Sequence, residues 1–308
     1  MATTVLRIGT RGSPLALAQA NETRARLAEA HDLDTARIEI RIFKTSGDMI
    51  QDRPLSEAGG KGLFTKELER ALLARDIDVA VHSAKDMPTH LPDGLLIASY
   101  LPREDVRDAL VAPGFASLQE LPAHSVVGTA SLRRQALVKR ARPDLEMILF
   151  RGNVETRLRK IAEGRAHATL LALAGLKRLG LAHHATSILS VDEFLPAIGQ
   201  GAICIEARED GRDARRLVEG IGHSDTEVAV GAERAFLAVL DGSCRTPIAG
   251  HAVLSGGRLA FRGMILKPDG SEAHEATREG PASEAVALGQ SAGIELKEKG
   301  GPAFFAPA

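Results

Sequence analysis

The chain has 308 residues, 44% hydrophobic and 26% charged, enough for two or three domains around sizeable cores. A formal net charge of −1 removes the footprint of a nucleic-acid binder, and 3% aromatics, with no Trp and a single Tyr, removes a stacking platform for single strands. No apolar run has the length of a membrane helix, residues 1–10 lack a signal pattern, and two Cys make no disulfide framework, so the expectation is a cytoplasmic protein with no nucleic-acid or membrane partner. The basic residues are 29 Arg against 10 Lys. Arg grips carboxylates with a planar fork, but abundant Ala points equally to genomic base composition, so position carries the information.

Val5 to Gly9 reads as a first strand, and Leu15 to His31 as a helix with Ser13 at the N-cap and Pro14 at its first position. Arg11 then stands at a strand-to-helix turn, beside N–H groups that favour an anion. Ile38, Ile40 and Ile42 alternate with Glu39 and Arg41 as a strand with one wetter face. Residues 47–62 break the pattern with Gly47, Pro54, Gly59, Gly60 and Gly62, and read as a lid or a plain surface connection. Phe64 to Asp76 is an amphipathic helix with Phe64, Leu68 and Leu72 on one stripe.

The next stretch organises the chain. Ile77, Val79 and Val81 make a buried strand that ends abruptly in His82, Ser83, Lys85 and Asp86, with Pro88 stopping any continuation. Open α/β sheets put ligands at such strand ends. Asp86 beside an ammonium stays ionised, able to stabilise a cation or accept a proton; a solvated strand end is the plainer alternative. Leu95 to Ser99 is another short strand, and 102–105 a crossing between domains.

Ser117 to Glu120 has the spacing of a capping box. Strand, polar turn and helix then repeat: 125–128 before Thr129, Ser131, Arg133 and Arg134; 146–150 before Arg151, Gly152 and Arg157; 168–172 before Gly175, Lys177 and Arg178. The repeat implies a largely parallel sheet, with Arg11, Lys85, Arg133, Arg134, Arg151 and Arg178 along one edge suited to several carboxylates or phosphates. Arg157 lies one turn into its helix. Residues 195–201 cross back to a strand at 202–206, in which Cys204 is a small core residue. Helices follow at 212–222 and 226–241. Cys244 sits in a Gly/Ser turn beside Arg245, where a nucleophile, an attachment point and an inert thiol all remain open. Residues 253–254 and 259–266 form an antiparallel pair, 283–299 a last helix, and His183-His184 lacks the partners of a metal site.

Taken together, Thr10 to Leu17, Gly59 to Phe64, Val81 to Asp86, Gly128 to Arg134, Arg151 to Val154, Ala174 to Gly180 and Gly199 to Gly201 resemble porphobilinogen deaminases, also called hydroxymethylbilane synthases. The blocks keep the family's order over nearly the whole chain and thin after Pro268. The resemblance implies an α/β fold: two periplasmic-binding-protein-like (type II) domains with mainly parallel sheets, at 1–101 plus 201–221 and 102–200, then a small α+β domain with an antiparallel sheet at 222–308. It implies a monomeric transferase of porphyrin, haem and tetrapyrrole biosynthesis. Such an enzyme joins four porphobilinogen molecules head to tail, with loss of ammonia, into hydroxymethylbilane. A dipyrromethane cofactor would be bound by a thioether to Cys244.

By motif position, Asp86 is catalytic, and Ser83, Lys85, Thr129, Ser131, Arg133, Arg134, Arg151 and Gly152 join it around the cofactor. Arg11, Ser13, Phe64, Arg151, Arg157, Arg178 and Gln200 meet substrate, and Lys61 belongs to the loop. Glu57 stands where many relatives have Lys, and Ser243 where the cysteine usually follows a second Gly. The alternative is a non-catalytic small-anion binder on the same two-lobed scaffold.

Overall fold

The computed structural model describes residues 5–49, 62–240 and 246–305. Glu57 and Lys61 of the loop, and Ser243 and Cys244 of the turn, therefore lie outside the described residues. The described chain forms two compact units, one from 5–49, 62–104 and 202–227, the other from 105–201, 228–240 and 246–305.

The first unit is built on a five-stranded sheet of β1 (Leu6–Arg11), β2 (Ile38–Phe43), β3 (Val79–Ser83), β4 (Leu95–Tyr100) and β10 (Ile203–Arg208), in the order β2-β1-β3-β10-β4. β1 runs parallel to both β2 and β3, and β10 runs antiparallel to β3 and to β4, so only β10 is reversed. Period-two alternation sorts β3 onto two layers. Val79 and Val81 join Leu6, Ile8, Ile203 and Ile205 beneath Leu27 of α1 (Pro14–Ala30), while Ala80 joins Leu68 and Leu72 of α3 (Lys66–Leu73). A four-residue α2 (Ser46–Met49) precedes α3, and α7 (Arg212–Glu219) adds Val218 to the first layer.

The second unit repeats the plan with β5 (Asp108–Val111), β6 (Val126–Thr129), β7 (Glu146–Leu149), β8 (Ala168–Ala172) and β9 (Ser187–Ile188), ordered β7-β6-β8-β5-β9. Here β5 alone is reversed. The expectation of mainly parallel sheets holds, with one returning strand in each. α4 (Leu132–Ala141), α5 (Val154–Ala162) and α6 (Leu173–Arg178) follow β6, β7 and β8. The same unit carries the antiparallel sheet β11-β12-β13 (Ile248–Ser255, Arg258–Leu266, Ala273–Pro281) with α8 (Ser224–Leu240, from residue 228 on) and α9 (Ala285–Phe305). Phe236 and Phe261 anchor that layer with rings 5.0 Å apart, and Met264 and Leu266 reach the core of the five-stranded sheet.

Several expectations shift for local reasons. β5 and β9 are short, and β13 is a polar edge strand, so none carries a clear apolar alternation. In the Ser117–Glu120 capping box Glu120 N–H donates to Ser117 Oγ, but Glu120 Oε2 accepts from the Ala116 N–H, one residue before the cap, and no helix follows. Phe64 precedes α3 instead of lying on its stripe.

Candidate active site

Asp86 is placed by the way β3 ends. Ala84 donates its N–H to the Ala202 carbonyl, and Met87 closes one turn back onto Ala84. The short turn 84–86 then lifts Asp86 to the rim while Met87 stays buried. Arg11, the last residue of β1, brings Nη1 to 3.8 Å from Asp86 Oδ2. Its guanidinium lies over the Phe64 ring at 4.1 Å, a cation–π contact that fixes the fork from one side. Ser83 exchanges hydrogen bonds with buried Gln19 of α1, at 2.8 and 3.2 Å. Ser13 accepts the Ala16 N–H at the start of α1, as the cap spacing predicts. Arg11, Ser13, Gln19, Phe64, Ser83 and Asp86 line one cavity of this unit. Lys85, beside Asp86, is exposed.

The pocket thus offers a part-exposed carboxylate with one guanidinium near it at a loose distance. At 32% side-chain exposure Asp86 can meet a ligand, and a pair this open is worth at most about 1 kcal/mol to the fold.

In the second unit the arginines turn inward. Asp108, fully buried, accepts Arg133 Nη2 on Oδ2 at 2.7 Å, and Arg134 Nη2 and Nε on Oδ1 at 2.7 and 3.2 Å. Gln200 adds Nε2 to Oδ1 at 3.0 Å and to the Val106 carbonyl at 2.7 Å. Arg133 Nη1 goes to the Leu195 carbonyl and Arg134 Nη1 to that of Leu170, while Arg133 Nε has no hydrogen-bond partner among the described residues. Burial pushes the Asp108 carboxyl up, but the two guanidiniums outweigh it and hold the group well below the usual carboxylate range. The sequence expectation of open forks along the strand edge does not hold for this pair, because the reversed strand β5 delivers a carboxylate beneath them. Two guanidiniums on one carboxylate still leave a positive charge at the start of α4.

Of the other predicted residues of this unit, Thr129, Ser131, Arg151 and Gly152 sit at strand-to-helix turns, Arg157 lies in the first turn of α5, and Arg178 is the last residue of α6, away from the strand-end position that the repeat implied. Thr129 ends β6 and takes the Ser131 N–H at 3.1 Å, and Ser131 caps α4 through the Arg134 N–H. Gly152 has φ +125°, a region closed to most side chains, and a Cβ there would meet Thr156 at 2.6 Å. Arg151 is half-buried beside it, with its carbonyl held by Lys160 Nζ. Arg157 returns Nε to the Gly152 carbonyl at 2.9 Å, and Arg178 gives Nη2 to that of Gly201 at 3.1 Å.

Arg11, Ser13, Phe64, Ser83 and Asp86 therefore share one pocket, while Thr129, Ser131, Arg133, Arg134, Arg151, Gly152, Arg157, Arg178 and Gln200 belong to the second unit. Gln19 and Asp108 carry no motif signal by themselves. Gln19 could have been found as a polar residue on the buried side of α1; Asp108 follows no strand-like pattern.

The first unit thus holds a rim carboxylate beside an arginine, and the second holds arginines at helix starts, groups of the kind that meet carboxylates. A family model described as porphobilinogen deaminase, dipyromethane cofactor binding domain, matches residues 6–216, and one for the porphobilinogen deaminase C-terminal domain matches 228–298. The porphobilinogen deaminase of Nitrobacter hamburgensis is 63% identical over 298 residues, covering 97% of this chain and 94% of that protein. The chloroplastic porphobilinogen deaminase of Oryza sativa subsp. japonica is 56% identical over 306 residues, covering 98% and 86%. Among solved structures, the methionine binding protein MetQ covers 70% of this chain and 89% of its own at a TM-score of 0.44 and 14% identity. The chain belongs to the porphobilinogen deaminase family.

Proposed function

We propose that this chain condenses four porphobilinogen molecules head to tail, with loss of ammonia at each addition, into the linear tetrapyrrole hydroxymethylbilane. The observation that carries the reading is a pocket carboxylate, Asp86, 3.8 Å from Arg11, in a chain 63% identical to a porphobilinogen deaminase over 97% of its length.

The donor set suits a dipyrromethane group, which brings several carboxylates. Arg133 Nε is buried with no partner among the described residues, and the α4 and α5 starts carry half-buried Ser131, Arg151 and Arg157. When bound, the group supplies the pyrrole end to which substrate is added. We assign its tether to Cys244, and its surroundings to Ser83, Lys85, Asp86, Thr129, Ser131, Arg133, Arg134, Arg151 and Gly152. Substrate contacts fall to Arg11, Ser13, Phe64, Arg151, Arg157, Arg178 and Gln200, with Lys61 contributing from the loop. We also read 222–308 as a distinct domain bearing the thiol, and family resemblance supports a cytoplasmic monomer.

Asp86 does the chemistry in this reading. Its carboxylate stabilises the positive charge left on the substrate as ammonia departs, and accepts the proton lost when the new bond is complete. Arg11 stays too far for a tight bidentate pair, so Oδ1 and Oδ2 remain available. Gln19 holds Ser83, and Phe64 holds Arg11, which keeps the rim in place between additions.

Intact mass tests the proposal. The purified chain, or the chain after incubation with porphobilinogen, is expected to weigh more than its sequence by two linked pyrroles, and Cys244→Ala to fold without that gain. A chain that stays at its sequence mass after incubation contradicts the reading.

A further inference from the structure

Phe64 lines the Asp86 pocket but lies outside α3, so that helix does not by itself place the ring. The ring supports the Arg11 guanidinium at 4.1 Å, and Arg11 Nη1 lies 3.8 Å from Asp86. A ring that moves takes that support away from Arg11.

Gly47 of α2 is the residue against which the ring packs. A Cβ built on it would run into Phe64 Cε1 and Cδ1, the latter at 2.6 Å, and would come to 2.9 Å from the Leu63 carbonyl oxygen. Packed side chains meet at contact distance and no nearer, so something must shift if position 47 gains a methyl group. The Gly47 backbone is helical and has no positive φ, a conformation open to any residue. Space alone asks for glycine there. Gly47 is also held in place. It is buried, and its N–H donates to the Leu63 carbonyl at 2.7 Å. One residue earlier, Ser46 gives its N–H at 3.0 Å and its hydroxyl at 2.5 Å to Glu67 Oε1 on α3. Phe64 is only part-buried, so between a tied backbone and a half-exposed ring it is the ring that has room to leave. Gly47 itself does not line the cavity.

We propose that Gly47 is a positioning residue for the pocket. The space left by its missing side chain seats Phe64 under Arg11, and so sets how tightly Arg11 holds a substrate carboxylate. Gly47 makes no bond to substrate and acts only through the ring and the guanidinium. The inference rests on the reading of Arg11 as a substrate contact.

The test has two arms. In the first, kcat and KM for porphobilinogen are measured for cofactor-loaded wild type, Gly47→Ala, Phe64→Ala and the double variant, at equal cofactor mass. Gly47→Ala is expected to raise KM about threefold with kcat unchanged, and to raise it less than about 1.5-fold once Phe64 is already Ala. A wild-type KM in Gly47→Ala, or the same factor in both backgrounds, overturns the proposal while wild-type turnover leaves the enzyme reading intact. If the methyl group alone unfolds the chain, the double variant is expected to regain the far-UV spectrum of Phe64→Ala; an unfolded double variant overturns the proposal. The second arm needs no turnover. Phe64→Ala fixes how far the ring displaces the NMR signals of the Arg11 side chain in the full chain. Gly47→Ala is expected to remove more than half of that displacement, and removal of half or less overturns the proposal.

Discussion

The two units use the same residue types at equivalent strand ends for opposite ends. In the first, Arg11 and Asp86 face each other across 3.8 Å with part of each exposed. In the second, Asp108 is fully buried and takes Arg133 and Arg134 at 2.7 Å each. The first pair contributes little to the fold and is open to a ligand; the second is costly to break and fixes a helix start. An ion pair's sequence does not reveal which kind it is. What decides is whether the carboxylate arrives from the rim, as Asp86 does after a one-turn exit from β3, or from a reversed central strand, as Asp108 does on β5.

The largest break in the comparison comes from Asp108→Ala. It leaves two buried guanidiniums uncompensated and is expected to cost about 3–5 kcal/mol of unfolding free energy, read by denaturant melts. A loss under about 1 kcal/mol would place Asp108 with the exposed pairs. Acid comes next. Asp108 is held below its unfolded value, so its contribution is complete above about pH 4 and is lost as pH falls toward the folded value, by at most about 1.4 kcal/mol per unit. Asp105, brought to about 2 by its hydrogen bonds from Arg107, adds a similar but more exposed share. Denaturant melts from pH 5 down to pH 3 should therefore fall less steeply in Asp108→Asn than in wild type; equal slopes would remove Asp108 from the acid response. The smallest effect belongs to the rim. Phe64→Ala removes the ring under Arg11 and is expected to raise KM by a few-fold, about 0.5–1 kcal/mol, with melting temperature almost unchanged. A large stability loss instead would make Phe64 a core residue.

Much of this was legible in the chain. The β-branched run of Val79 and Val81 ending in polar residues fixed the place of Asp86, and Ser13 with Pro14 announced the start of α1. The repeated strand-turn-helix pattern gave the parallel majority of both sheets. The reversed strands were harder. β10 reads as an apolar strand but its direction is set by where the chain returns, and β5 begins on a charged residue and lasts four residues. Missing β5 hid Asp108, and without Asp108 the arginines at 133 and 134 look free. His82 and Glu206 sit 124 positions apart and meet only through the β3–β10 register, which no local spacing encodes.

The claim that Asp86 serves reaction and not fold is tested most directly by Asp86→Asn, assayed for turnover once its cofactor mass has been confirmed. The account predicts a rate lower by roughly 10²–10⁴ with a melting temperature within error of wild type. Near-normal turnover, or a rate loss matched by loss of the folded state, would contradict it.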